Sequence, residues 1–228
     1  MISKTNLKKW PCALNIIGCI QFVILTSIAM FFYKGGTYID PSTSRYVFWY
    51  NYFSDLGRTV AHSGISNTFS FILFTVTLSI WGAFQIPFYI IFPSFFGSSK
   101  GLKKFYFAGS TLGILTGIFY IGIAFTPSDI TNFLHNLFVF LGFGSIILSF
   151  ILYAIVIVKD NNYANFYATV FTISALILGI YFVILSFIPN SETTIGLFIY
   201  VVGQKFMIYT LLICGIVQGF GALKQLPS

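Results

Sequence analysis

Six long apolar runs separated by short polar breaks make up most of this chain. They cover roughly 12–32, 64–86, 105–125, 130–158, 164–187 and 195–220. Each matches the ~20 residues that a helix needs to cross a bilayer core. The pattern predicts an all-α fold, a polytopic transmembrane helical bundle of about six spans in a single domain, 1–228. The breaks carry turn signals. Gly35, Gly36, Asp40 and Pro41 open a large outer loop over about 33–63, and Thr126, Pro127, Ser128 and Asp129 form a tight turn with Ser128 as the expected N-cap of span 4. Pro189, Asn190, Ser191 and Glu192 form another turn. Pro87 and Pro93 are expected to follow span 2 rather than lie within it. Gly109, Gly113 and Gly117 recur every four residues in span 3, a stripe for close helix packing.

Composition supports the membrane reading. The chain is 57% hydrophobic and only 7% charged, against roughly 25% charged in soluble domains. The net charge of +7 reflects topology. Lys4, Lys8, Lys9, Lys100, Lys103, Lys104, Lys159 and Lys224 fall in segments on one side, while Lys34, Arg45 and Arg58 fall on the other. By the positive-inside rule, both termini are cytoplasmic. The basic residues form no domain-sized face, so nucleic acid is not an expected partner. The first run is too long for a signal-peptide core and reads as a signal anchor. Cys12, Cys19 and Cys214 lie in or beside apolar runs without a Cys-x-x-Cys spacing, and read as packing residues.

Candidate chemistry concentrates in 51–64, the most polar stretch, next to the aromatic run 46–53, which suits an interfacial or re-entrant segment. If 55–62 is helical, Asp55, Arg58 and His62 share one face, with Ser54 beside them. At the head of span 4, Asp129, Asn132 and Asn136 form one stripe, and Ser128, Thr131 and His135 an adjacent one. In span 6, Gln204 and Lys205 lie roughly 15 Å below the outer end. A lysine at such depth costs about 2.5–3.5 kcal/mol on insertion scales. It must snorkel, face a wet cavity or pair with an acid: Asp55 first, then Asp129 or Glu192. The outer halves of spans 2, 4 and 6 can thus converge on one pocket made of Ser54, Asp55, Arg58, His62, Asp129, Asn132, His135, Gln204 and Lys205.

Asp55, His62, Asp129 and His135 are suitable ligand types for zinc, but their spacing matches no local metal motif and a nearby Lys205 disfavours a cation. No cofactor is expected. No nucleophile elbow and no Walker or Rossmann glycine pattern occurs.

These residues resemble a family. Phe53, Ser54, Asp55, Leu56 and Gly57 after the first span, Thr126 to Asp129 with His135 at the head of span 4, and the polar pair in span 6 are similar to the DUF998 family of uncharacterised six-span membrane proteins of archaea and bacteria. Gly35, Gly36, Thr37, Asp40, Pro41 and the segment from Phe48 to Asn51 resemble its archaeal members. The likeness runs from about 35 to 221. A looser similarity reaches the eukaryotic Frag1/DRAM/Sfk1 group, which is linked to lipid organisation. The resemblance implies a multi-pass protein of a prokaryotic, archaeal-type plasma membrane. Where an acid–base pair is expected in the last span, this chain has Gln204 and Lys205.

Three functional readings follow. The first is a non-enzymatic membrane protein whose pocket binds a lipid headgroup or a partner, with Lys205 and Arg58 meeting an anionic lipid, or with another membrane subunit as the partner. The second is a membrane-embedded, metal-dependent lipid hydrolase. The third is a small transporter.

Overall fold

The computed structural model describes residues 4–97, 100–160, 163–187 and 192–226. Among the described residues six α-helices form the fold: α1 (Lys4–Phe32), α2 (Thr68–Ile91), α3 (Lys100–Ala124), α4 (Asn132–Lys159), α5 (Asn165–Phe187) and α6 (Thr194–Lys224). All six are long and apolar enough to cross a membrane, as a multi-pass membrane protein requires. Among the described residues there is no strand, only an isolated bridge between Val60 and Ser66.

Successive helices pack side by side, and α6 also packs on α1, which closes the ring. The span-3 glycine stripe sets the closest approaches. A Cβ on Gly117 would stand 2.5 Å from the carbonyl oxygen of Gly82, and one on Gly113 would strike the Tyr89 ring. At one end of the bundle, Phe88, Phe92, Phe96, Tyr153 and Tyr163 form an aromatic core. The other end is capped by the long connection between α1 and α2.

The helix boundaries differ from the sequence reading in physical detail. The second span starts at Thr68 rather than near 64. Gly64 takes a positive φ of 83°, and the bridge from Val60 to Ser66 holds the preceding turn open. The same helix runs through Pro87 to Ile91 before tightening into a 3-10 turn, Phe92–Phe95. Proline removes only one donor there, a loss that neighbouring helices absorb inside a membrane. Ser128 is not the N-cap of α4. It lies in a turn, and Thr131 holds the cap position without a side-chain bond to the helix. Lys100, Lys103 and Lys104, read as part of the break before span 3, lie at the start of α3, which begins at Lys100. Residues 98–99 and 161–162 of the breaks, and 189–191 of the expected turn that ends at Glu192, lie outside the described residues.

Candidate functional site

The α1–α2 connection folds over the bundle end around one residue, Asn51, which is fully buried. Its Oδ1 accepts from the Val47 N–H at 2.8 Å, and its Nδ2 donates to the Gly36 carbonyl at 2.9 Å and to Asp55 Oδ2 at 3.0 Å. Gly36 sits at φ 80° with its Cα against the His62–Ser63 backbone, a place where a Cβ would stand 2.2 Å from the Ser63 nitrogen. The aromatic run is therefore neither a helix nor a re-entrant span, but a tight turn around this amide.

Asp55, Arg58 and His62 do not lie on a helix. A single 3-10 turn, Ser54–Gly57, ends at Arg58, whose backbone is extended. The chain then doubles back, and this brings His62 to Asp55 all the same: His62 Nε2 lies 3.1 Å from Asp55 Oδ1. The other carboxylate oxygen also accepts from the Tyr52 N–H at 2.9 Å. The Tyr33 hydroxyl accepts from the His62 N–H at 3.2 Å. Burial, with the Asp55 charge beside it, pushes the Tyr33 phenol well above its ordinary pKa, so it stays neutral. Arg58 Nε donates to the Val60 carbonyl at 3.1 Å. No carboxylate of the described residues forms an ion pair with the Arg58 guanidinium.

Asp129 is a clamp rather than a pocket residue. It accepts from the Thr59 N–H, from the Thr59 hydroxyl at 2.6 Å and from the Val60 N–H at 3.0 Å, which ties the α3–α4 turn to the α1–α2 connection. Partial burial alone would raise the pKa of its carboxyl, but these donors outweigh burial and hold it below the ordinary value. A lowered folded-state pKa stabilises above the unfolded value and is lost as pH falls through the folded one. Asp129→Asn is therefore expected to lower the thermal midpoint at neutral pH. The gap from the native chain should close below about pH 4, as melts across an acid series would record.

Lys205 is also not in the pocket. It is buried on α6, and its Nζ donates to the Asn51 carbonyl at 2.5 Å and to the Tyr46 hydroxyl at 3.3 Å. The rings of Tyr46, Phe48 and Phe53 surround it, at 5.4, 4.8 and 5.2 Å from ring centre to ammonium. Such contacts reach about 2 kcal/mol each when desolvated, enough together to offset the burial cost of one ammonium. No described acid pairs with it. Asp55 is linked to it only through Asn51, whose side chain meets the carboxylate while its carbonyl meets the ammonium. The helix explains the split between neighbours: consecutive residues face about 100° apart. Gln204 lines the cavity and accepts from the Phe53 N–H at 2.8 Å, while Lys205 turns into the cap.

Below the cap, a cavity of about 750 Å³ opens between α4, α5 and α6. Tyr38, Tyr52, Ser54, Asp55, Arg58, His62, Ser128, Asn132 and Asn136 surround its polar part. Its lower wall is Val139, Phe140, Phe143, Phe182 and Met207. His135 stands between the two, buried, with Nδ1 2.7 Å from the Thr126 carbonyl. A carbonyl only accepts, so Nδ1 carries a proton. Of the nine residues expected in the pocket, seven line it, and Asp129 and Lys205 do not. The apolar wall was missed, although its signal is regular. It extends the Asn132/His135/Asn136 stripe to Val139, Phe140 and Phe143, and continues the Gln204 stripe to Met207, at helical spacing.

No family model, curated protein or solved structure matches this chain. Asp55, His62, Asp129 and His135, the ligand types considered for zinc, are not gathered into one set. Among the described residues no three His, Cys, Asp or Glu side chains group closely enough to hold a metal. Asp129 is committed to Thr59 and Val60, and His135 is oriented by Thr126.

Proposed function

We propose that this protein is a membrane-embedded binder of an anionic amphiphile, with the head group at the polar end of the cavity and an acyl chain along the apolar wall between α4, α5 and α6. The observation that carries the reading is the gradient within one cavity, from Arg58, Asn132 and Asn136 to Phe140, Phe143 and Met207. A volume of about 750 Å³ is in the range of small-ligand sites. The head-group end offers a guanidinium that forms no ion pair with a carboxylate of the described residues, and Arg is suited to bidentate recognition of phosphate. The lysine distribution supports placing the capped end outside the cell, so the bound lipid would come from the outer leaflet. Membership of the DUF998 family, in an archaeal or bacterial plasma membrane, belongs to the same proposal and rests on the order and placement of the residues quoted above.

The test is photolabelling in vesicles that contain an anionic phospholipid with a diazirine in its chain. Label is expected on Val139, Phe140, Phe143 or Met207. Arg58→Gln is expected to reduce it about tenfold or more, the loss of a charged hydrogen bond of ~1.5–3 kcal/mol. Label spread evenly over the lipid-facing helices, with no effect of Arg58→Gln, would remove the reading.

One observation favours a second reading. Asp55 orients His62, as a carboxylate orients the base in hydrolytic triads. A lipid hydrolase on this site would have His62 as general base, and His62→Ala would abolish turnover of a vesicle lipid. Binding is preferred because no Ser, Thr or Cys of the described residues hydrogen-bonds His62 as a nucleophile would.

A further inference from the structure

A second, small cavity lies in the bundle interior, at the level of Asn15 on α1, Gln85 on α2 and Gln218 on α6. Ile146 and Phe150 of α4 and Phe171 of α5 close it from the other side. Gln218 is six residues before the end of α6, so the site lies about 9 Å inside the lysine-rich end. Its volume is about 20 Å³, just above the ~10–15 Å³ that one water needs.

Two of the residues that line this cavity carry a side-chain oxygen without a partner among the described residues. Gln85 Oε1 and Gln218 Oε1 are both buried, and neither accepts a hydrogen bond from the described residues. Their side chains are 8% and 1% exposed. The orientation of Gln218 is set by its own amide, because Nε2 donates to the Tyr167 carbonyl at 2.9 Å. Asn15 is fixed in the same way, with Nδ2 on the Gly215 carbonyl at 2.8 Å. Three amide side chains thus border this space, and two of them carry bare acceptors. A bare buried acceptor costs roughly 1–3 kcal/mol, which is hard to accommodate inside a membrane bundle, where no bulk water can substitute.

The geometry points to one resident water molecule in this cavity, donating one O–H to Gln85 and the other to Gln218. It would join α2 to α6, which are not neighbours in the ring. A monovalent cation also suits amide oxygens, but no acid lines the cavity, and an uncompensated charge there is costly. Water satisfies both acceptors without bringing a charge.

The full chain in lipid nanodiscs provides the test. A density map at a resolution that shows waters is expected to have a single peak within hydrogen-bond distance of both oxygens. Gln85→Met and Gln218→Leu are each expected to lower the thermal midpoint, at about 2–4 °C per kcal/mol lost. The double variant is expected to lose less than the sum, since both acceptors are then gone. Midpoints should be equal in sodium, potassium and choline. An empty cavity with additive losses would overturn the proposal. So would a midpoint that rises in sodium alone and depends on Gln85 and Gln218, because the site would then hold a cation. If either variant does not fold, the native-chain map and the cation series decide.

Discussion

Asn51→Leu is expected to damage the capping segment severely. The side chains are close in size, so the effect isolates hydrogen bonding. Leucine strands the Val47 N–H and the Gly36 carbonyl, and removes one donor from Asp55 Oδ2. Each buried group left unpaired costs about 1–3 kcal/mol, so the variant should lose several kcal/mol, much of the total for a typical domain. Loss of expression as folded protein, or a midpoint lowered by ten degrees or more, is the expected measurement. Asn51→Asp should be worse at neutral pH, since it sets a second carboxylate against Asp55. An Asn51→Leu chain that melts like the native one would mean that the cap is held by the aromatic contacts alone.

Lys205→Met is the second large effect, and its sign is diagnostic. A lysine that merely snorkels costs the bundle energy, so methionine would be neutral or stabilising. Here the ammonium binds the Asn51 carbonyl and sits among three rings. Its removal should lower stability by about 1.5–3 kcal/mol, the value of a hydrogen bond to a charged group. The loosened cap should also let the backbone around Lys34 and Arg45, both already exposed, open more readily, giving faster tryptic cleavage between α1 and α2. Below its lowered midpoint, the variant should still bind lipid, because Lys205 does not line the cavity. This separates Lys205 from Arg58, which the sequence alone had joined in one anion site.

The spans and the small-residue stripe were legible in the sequence because a bilayer imposes length and apolarity on every crossing element. Most of the polar pocket was legible too, since Asn132, His135 and Asn136 follow helical spacing. What was not legible depended on backbone direction. The meeting of Asp55 and His62 comes from a chain reversal, not a helix face, and the reversal rests on positive-φ glycines and on an asparagine whose partners are chiefly backbone groups, the Val47 N–H and the Gly36 carbonyl. Backbone partners leave no side-chain pattern to read. The same reason hid the role of Asp129, whose ligands are chiefly the N–H groups of Thr59 and Val60. Lys205 was the plainest anomaly in the chain, yet its solution is a cage of rings and a carbonyl rather than an acid. Even so, those rings come from the aromatic run placed next to the polar stretch.

The central claim is that the large cavity is a lipid site. Native mass spectrometry of the gently extracted chain, with elemental analysis of the same sample, tests it most directly. The account predicts one retained anionic lipid per chain, lost in Arg58→Gln and kept in Lys205→Met. A polypeptide that carries no lipid, or one that carries stoichiometric metal dependent on His62 and His135, would contradict it.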